Sequence, residues 1–401
     1  MVSDCQEERE VFEENFGKTL PVGRLGIIAP ESCRELGKKI DEQLIKWRTA
    51  RSAALENHPV TSDYVRDTYL IKNRLSRLGT GEGRGELMES VRGDDIYILT
   101  DVCNSSLSYS ISGKPSTMSP DGHYQDLKRL VASVGGKARQ ITVIMPFLYE
   151  GRLSNRSGRE SLDCAIMLQE LYSMRVSNII TFDAHDARVQ NAIPLGGFET
   201  IQPVYQFVKG LLTHVPDLFI DNNHMMVVCP DEGAAPRAIY MANNLGVDMG
   251  MFYRRRDYSR VVNGRNPVVA HEFLGSSVGG KDLLIIDDMI SSGDSMLEVA
   301  RELKKRGARK IFMFATFGLF TGGLKKFDMA YERGLFDKIL TTNLTYQPSE
   351  LLAREYYIDC DMSKYLAFII EHLNHGASIS GLLNPVDRIQ NILAKYRNGE
   401  L

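Results

Sequence analysis

Two adjacent carboxylates stand between an apolar run and a loop of hydroxyls in the second half of the chain. Residues 283–295 read LLIIDDMISSGDS, so Asp287 and Asp288 directly follow four large apolar residues. Such a run predicts a buried strand, and ligands of open α/β sheets bind beyond the carboxyl ends of the strands. The sequence therefore predicts that both acids lie at a ligand-binding edge.

The residues after the acids predict an anion site. A helical period begins at Ser295, and the backbone N–H groups at a helix start, together with nearby hydroxyls, can surround a phosphate. The predicted cradle consists of Ser291, Ser292, Gly293, Asp294 and Ser295, and it contains no lysine. Because the Gly-Lys-Ser/Thr signature of a Walker-type loop is absent, acids for hydroxyls beside a cradle for one phosphate indicate a sugar phosphate. The plainer alternative is a helix cap beside a solvated acid pair.

Composition favours a globular protein with small-molecule partners. The chain has 401 residues, 43% hydrophobic and 25% charged, which suffices for two domains. A formal net charge of −3 gives no general attraction to nucleic acid or to anionic membranes. No apolar run approaches the roughly 20 residues of a membrane span, and the acidic first residues do not resemble a signal peptide, so a cytoplasmic protein is expected. The six cysteines show no metal-binding spacing and are expected to be mostly buried free thiols.

Short apolar runs alternate with segments of helical period, which predicts an α/β fold with parallel sheets. Strands are predicted at Leu25–Ile28, Asp95–Leu99, 141–145, Asn178–Phe182, 225–228, 283–286, 310–315 and Lys338–Thr342. A helix is predicted over 295–306, with Gly307 at its C-terminal cap.

A break over 196–203 predicts two α/β domains of similar build, over 1–200 and 201–401. Residues 100–124, rich in Ser, Gly and Pro, predict an inserted loop, and 48–67 predicts a further extension.

Residues 285–295 resemble the phosphoribosyl-pyrophosphate motif of the type I phosphoribosyltransferase superfamily. Four further segments, at 86–97, 182–185, 228–233 and 357–361, resemble in order segments of the ribose-phosphate pyrophosphokinases. The resemblance implies two phosphoribosyltransferase-like domains, assembled into dimer-based homo-oligomers such as hexamers. It also implies transfer of the β,γ-diphosphoryl group of ATP to the C1 hydroxyl of ribose 5-phosphate.

The resemblance assigns roles to individual residues. Asp287, Asp288 and the five cradle residues match the ribose 5-phosphate site, while Arg152 matches an ATP contact. His185 and Asp231 match positions of a magnesium site, and one nitrogen with one carboxylate suits Mg²⁺ that keeps waters and phosphate oxygens as its other ligands. Considered alone, His185 could be merely structural and Asp231 a plain turn residue.

A basic cluster over 254–265 predicts a mobile catalytic flap that closes over the transferring phosphates. Arg254 and Arg256 match the Lys-x-Arg of the corresponding family loop, and with His185 they are the predicted catalytic residues. The alternative is a solvated basic loop.

The ATP-binding half departs further from the family than the sugar-phosphate half. Arg254 replaces the family lysine, and a guanidinium is not equivalent to an ammonium. Near the adenine region, Leu78 replaces a stacking Phe and Thr80 replaces Asp or Asn, whereas Glu82 is retained. Ser291 and Asp294 also differ from the usual Asp and Gly of the phosphate loop. Two other functions therefore stay open: a catalytically silent regulatory homologue, and a phosphoribosyltransferase that consumes phosphoribosyl pyrophosphate.

Overall fold

The computed structural model describes residues 19–54, 63–156, 158–256 and 268–400, and for residues 54, 254–256 and 268–271 it describes the backbone alone. Contacts divide the chain into two units. The first contains the described residues up to Gln202 together with Met362–Asn384, and the second contains Pro203–Asp361 with the described residues from Pro385 onward. The sequence had assigned residues 362–384 to the second domain and did not indicate this return to the first.

The strands and helices alternate along most of the chain. The strands are β1 (Leu25–Ile28), β2 (Asn73–Arg77), β3 (Gly83–Leu87), β4 (Asp95–Leu99), β5 (Ser108–Ile111), β6 (Lys114–Thr117), β7 (Gln140–Ile144), β8 (Asn178–Phe182), β9 (Gly197–Ile201), β10 (Met225–Cys229), β11 (Asp248–Arg256), β12 (Val268–Leu274), β13 (Asp282–Ile290), β14 (Ile311–Gly318), β15 (Lys338–Thr342) and β16 (Tyr357–Cys360). The helices are α1 (Arg34–Ala54), α2 (Pro120–Val134), α3 (Asp163–Ser173), α4 (Val204–His214), α5 (Ala235–Leu245), α6 (Asp294–Lys305), α7 (Lys325–Glu332), α8 (Ser349–Leu352), α9 (Ser363–Asn374), α10 (Ser380–Leu383) and α11 (Val386–Arg397).

Each unit is built around its own sheet. The first unit has a five-stranded parallel sheet of order β1-β4-β7-β8-β9, with two antiparallel hairpins, β2–β3 and β5–β6. The second has a seven-stranded sheet of order β12-β11-β10-β13-β14-β15-β16, in which only the β11–β12 pair is antiparallel. Strands such as Met225–Cys229 are buried along their whole length, as expected for parallel strands covered on both faces. The predicted α/β class is confirmed.

Several predicted bounds need correction. Strand β13 continues to Ile290 rather than ending at residue 286, because its pairing with β14 extends to Ile290 opposite Gly318. The predicted inserted loop over 100–124 contains the β5–β6 hairpin and the start of α2, and the predicted break over 196–203 contains strand β9. Arg48 is not part of an extension, since it lies in α1 and is 1% exposed.

The returning segment is held to the first unit by buried polar contacts. In α9, the carboxylate of Glu371 pairs with the guanidinium of Arg48 at 2.7 Å, and both side chains are buried. The amide of Asn374 donates to Asp95 Oδ2 on β4 at 2.8 Å. Because a buried polar group is stable only when it has a partner, these contacts fix the position of α9 within the first unit.

The described cysteines are free thiols, and Cys33, Cys164, Cys229 and Cys360 are buried. In the part of the chain that the structure describes, no helix is both long and apolar enough to cross a bilayer.

Candidate active site

The predicted acid pair lies near the end of β13, inside the strand. The backbone N–H of Asp288 donates to Asp287 Oδ1 at 2.9 Å. Adjacent residues of a strand point to opposite faces, and Asp288 faces Arg237, whose Nη2 lies 3.7 Å from Asp288 Oδ2 with both side chains buried. Burial and the neighbouring charge of Asp288 raise the pKa of Asp287 to about 8.

Asp231 adds a third carboxylate to this region. It follows β10 and caps a short 3-10 turn, with its Oδ1 accepting a hydrogen bond from Gly233 N at 3.0 Å. Its charge also raises the pKa of Asp287, whereas the charge of Arg237 opposes that shift. The second unit thus concentrates three carboxylates beside one guanidinium at the carboxyl ends of β10 and β13.

Arg237 was missed by the sequence analysis. It lies in α5, in helical register with the buried Met241 four residues later, and it is itself buried. The available signal was an arginine within an otherwise apolar stripe of a helix. An arginine buried in such a stripe is stable only when it has an acidic partner.

The predicted phosphate cradle is one turn that joins β13 to α6. Gly293 caps the helix with φ +80°, and a Cβ at that position would overlap the ring of Phe327 from α7. The backbone N–H of Thr321 donates to Ser291 O at 3.0 Å, and the two hydroxyls lie 3.2 Å apart. The five cradle residues are therefore contiguous in space, and the helix begins at Asp294, one residue earlier than predicted.

The cradle has a lysine beside it that comes from elsewhere in the chain. Lys326 Nζ, in the first turn of α7, lies 2.6 Å from Asp294 Oδ1. This ion pair lowers the pKa of Asp294, so its carboxylate is ionised at neutral pH.

Thr80 and Glu82, the predicted adenine-side residues, form the tip of the β2–β3 hairpin in the first unit. The hydroxyl of Thr80 donates to Glu82 Oε2 at 2.7 Å, and both side chains are exposed. The β5–β6 hairpin braces this tip, since Ser112 N donates to Gly79 O at 3.0 Å. The inserted segment thus supports the predicted nucleotide loop.

Arg152 and His185 lie on two loops that follow β7 and β8. The side chain of Asn155 donates to Asp186 Oδ2 at 3.2 Å, which ties the two loops together. Arg188 also donates to the Asp186 carboxylate, from Nε to Oδ1 at 2.9 Å and from Nη2 to Oδ2 at 2.7 Å. Arg152 and His185 are both exposed, so each is accessible to a ligand.

The first residues of the predicted flap, 254–256, belong to strand β11. The register places Arg254 opposite His271 and Arg256 opposite Val268 on β12. The side chains of both arginines, and all of residues 257–265, lie outside the described part of the structure, so their predicted catalytic role stays a prediction.

The carboxylates of the second unit could help to bind a hard cation that also keeps water or substrate oxygens as ligands. Among the described residues, no group of three or more His, Cys, Asp or Glu side chains could alone hold a metal ion. Mg²⁺ is ordinarily held by one or two carboxylates together with substrate phosphates, rather than by an all-protein cage. The carboxylates of Asp231 and Asp287 fit that description, and His185, in the first unit, stays a predicted ligand.

Comparisons with known proteins identify the family to which the chain is related. Residues 25–174 match a family model of the N-terminal domain of ribose phosphate pyrophosphokinase, and residues 197–332 match that of the phosphoribosyl transferase domain. The ribose-phosphate pyrophosphokinase of Vibrio parahaemolyticus is 26% identical over 317 residues, which cover 77% of this chain and 90% of that protein. The enzyme of the same description from Mycoplasma pneumoniae is 28% identical over 270 residues, covering 66% of this chain and 73% of the relative. The crystal structure of phosphoribosylpyrophosphate synthetase from Mycobacterium smegmatis superposes with a TM-score of 0.68 at 19% identity, covering 88% of this chain and 100% of that one.

The fold is that of two phosphoribosyltransferase-like α/β domains, as the sequence predicted. With both family models in order along it, the chain belongs to the ribose-phosphate pyrophosphokinase family. The predicted enzyme class, a transferase of diphosphate groups, is the one that these relatives carry.

Proposed function

We propose that the protein transfers the β,γ-diphosphoryl group of ATP to the C1 hydroxyl of ribose 5-phosphate, giving phosphoribosyl pyrophosphate and AMP. The observation that carries the proposal is the continuity of Asp287 and Asp288 with the cradle over residues 291–295 in one unit. A sugar phosphate needs both parts, because its hydroxyls require acceptors and its phosphate requires N–H and O–H donors.

In the proposed complex, the ribose hydroxyls donate to the carboxylates of Asp287 and Asp288. Arg237 faces Asp288 and offsets one of the two charges. The 5-phosphate lies against the N-terminus of α6, where the backbone N–H groups and the helix dipole favour an anion. These contacts hold the sugar so that its C1 oxygen can attack the β-phosphorus of ATP, and the bond from that phosphorus to the α,β-bridging oxygen breaks.

Mg²⁺ would supply positive charge that offsets the triphosphate and makes its β-phosphorus approachable. His185 in the first unit and Asp231 in the second are the proposed protein ligands, and we add Asp287 beside Asp231 in the second unit. Arg152 is the proposed ATP contact of the first unit, with Thr80 and Glu82 beside the adenine. Arg254 and Arg256 are proposed to stabilise the charge that develops on the leaving phosphate.

The proposal is tested by incubating the protein with ribose 5-phosphate, Mg²⁺ and a panel of nucleoside triphosphates while following phosphoribosyl pyrophosphate and nucleoside monophosphate. Both products should form in equal amounts. Absence of monophosphate with every donor, in folded protein with inorganic phosphate present, would exclude the proposal and favour a silent regulatory homologue. Release of pyrophosphate from phosphoribosyl pyrophosphate and a nucleobase would instead identify a phosphoribosyltransferase.

We further propose a dimer-based homo-oligomer, as the resemblance implies, which light scattering of the full chain would test.

A further inference from the structure

The ion pair between Lys326 and Asp294 joins two helices at the phosphate cradle. Asp294 is the first residue of α6 and Lys326 is the second residue of α7. Lys326 Nζ lies 2.6 Å from Asp294 Oδ1, and the two side chains are 32% and 74% exposed, respectively. The ammonium is therefore accessible from solvent at the entrance to the cradle, and its four-carbon stem leaves it free to move over short distances.

The position of Lys326 is fixed by the packing of its neighbours. Phe327 is fully buried and contacts Gly293, which can approach the ring closely because it has no Cβ. Preceding residues bind the end of β13 and the cradle, since the N–H of Phe320 donates to Ile290 O and that of Thr321 donates to Ser291 O, both at 3.0 Å. The start of α7 is thus held against the cradle from both sides, and Lys326 cannot move far from it.

Lys326 brings a positive charge next to the carboxylate at the cradle. An ionised Asp294 in the first turn stabilises α6 through the helix dipole, but it repels the doubly charged phosphate that the same turn is proposed to bind. Lys326 offsets that carboxylate. Lys325, the preceding residue, is exposed and makes no described ion pair, which makes it a matched control.

We propose that Lys326 is a substrate-binding residue that donates a charge-assisted hydrogen bond to the phosphate monoester of ribose 5-phosphate, with Asp294 as its counter-ion when the site is empty. The proposal rests on the proposed function for the identity of the sugar phosphate. When the phosphate enters, the ammonium turns from the carboxylate toward a phosphate oxygen, so Asp294 competes with the substrate for Lys326.

The test compares Lys326→Gln, Lys325→Gln and Asp294→Asn in the full chain. Calorimetry with ribose 5-phosphate should give a Kd about 10-fold higher for Lys326→Gln, a loss that shrinks as salt is added. Asp294→Asn should lower the Kd several-fold, because it releases the lysine and removes a repulsive charge. Lys325→Gln should bind as the parent does, and ribose without its phosphate should not distinguish the variants.

The proposal is supported if the Kd for ribose 5-phosphate rises in the Lys326 variant and falls in the Asp294 variant. If Lys326 only held Asp294 in place for structural reasons, both variants would weaken binding, and that result would overturn it. Equal Kd values for Lys326→Gln and Lys325→Gln would also overturn it.

Binding and turnover separate this proposal from the proposed function. A parent that forms no AMP, but binds ribose 5-phosphate more weakly after Lys326→Gln, supports the lysine's role while the proposed reaction fails. An active parent with an unchanged KM for ribose 5-phosphate in Lys326→Gln overturns the lysine's role and leaves the reaction standing.

Discussion

Arg48 and Glu371 form a fully buried ion pair of 2.7 Å across 323 residues of sequence. The guanidinium of Arg48 also lies over the rings of Tyr64 and Tyr69, at 4.6 and 5.0 Å from their centroids. Asn374 accepts a further hydrogen bond from Arg48 at 2.6 Å. The pair therefore joins the segment that returns from the second unit to helix α1 of the first.

Removing one member of this pair should destabilise the first unit strongly. Glu371→Leu and Arg48→Met should each lower the free energy of unfolding by about 3–5 kcal/mol, because each leaves one buried charge without its partner. The double variant should lose clearly less than the sum of the two, since it leaves neither charge buried. Chemical denaturation of all three variants measures this, and strict additivity would contradict the coupling.

The ion pair between Arg48 and Glu371 also predicts that the protein loses stability at low pH. Burial alone would raise the pKa of Glu371, but the charge of Arg48 and a hydrogen bond from His375 lower it to about 2. A carboxyl whose pKa falls on folding contributes stability above its unfolded value near 4.5, and that contribution disappears as the pH falls toward 2. The parent should therefore lose stability over this range with a steeper slope than Glu371→Gln in denaturation followed as a function of pH.

The raised pKa of Asp287 predicts that the metal-free protein loses stability as the pH rises. Its pKa is raised to about 8, so the folded state binds a proton that the unfolded state loses near pH 4. Stability from this group is fully present below pH 4 and is lost as the pH rises through about 8. Asp287→Asn should flatten this decline between pH 5 and 8 in thermal unfolding.

Magnesium provides an independent check on Asp287. A cation bound by the carboxylate favours its ionised form, so Mg²⁺ should raise the melting temperature of the parent more at pH 8 than at pH 5. Asp287→Asn should lose most of that difference. An equal response in the parent and the variant would remove Asp287 from the proposed metal ligands.

We expect any side chain at Gly293 to destabilise the protein. The reason is packing within the fold, and not the close approach of a phosphate that its place in a phosphate loop suggests. Gly293→Ala adds a Cβ that overlaps the Phe327 ring at a residue with φ +80°. We expect a loss of about 2–4 kcal/mol in stability, from the left-handed backbone and from overpacking together. Gly323 is the control: it has φ +73°, but a Cβ there meets no atom within 4 Å, so Gly323→Ala should lose only about 1–2 kcal/mol. Equal losses would show that the contact with Phe327 has no effect.

His185 tests the proposed contribution of the first unit to magnesium binding. His185→Ala should raise the Mg²⁺ concentration needed for activity more than the ribose 5-phosphate concentration, because the side chain is proposed to bind the metal and not the sugar. The ring is exposed, so the fold should be retained. Reduced melting temperature with normal magnesium dependence would point to a purely structural histidine.

The sequence predicted the bounds of strands whose apolar runs end at polar or turn residues. It was less accurate where hydrogen bonds to a neighbouring strand extend an element past such residues. Strands β1, β4, β8 and β15 have the predicted bounds. Strand β13 continues through the acid pair because its hydrogen bonds to β14 hold polar residues in the extended conformation. Likewise, the local sequence of α9 does not state which unit it joins, and its buried contacts with Arg48 and Asp95 show where it packs.

In the candidate site, too, residues that are close in sequence could be predicted, whereas residues contributed by distant helices could not. The acid pair and the cradle lie within the nine consecutive residues 287–295, so their spacing could be seen in the sequence. Arg237 and Lys326 approach them from α5 and α7, and no local pattern states which carboxylate a distant cation will meet. Their positions beside these carboxylates depend on how the helices pack in the folded chain.

Arg254, which stands where the family lysine is expected, provides the test of whether this chain is active or silent. If it performs the task of the family lysine, Arg254→Ala should lower kcat by about 100-fold or more, at roughly 1.4 kcal/mol per decade, and should raise KM much less. The reason is that positive charge at this position is needed mainly as charge shifts onto the leaving phosphate. Arg256→Ala should behave likewise, whereas Arg260→Ala, further along the predicted flap, should have little effect.

Arg254→Lys is the informative companion in steady-state kinetics with ATP and ribose 5-phosphate. Substantial activity in this variant would mean that the site needs a positive charge and accepts either head group. A gain of activity from an inactive parent would identify a silenced regulatory homologue, because the ammonium would restore what the wider, planar guanidinium had removed. Full activity in both Arg254→Ala and Arg256→Ala would show instead that the basic segment is a solvated surface with no part in the transfer.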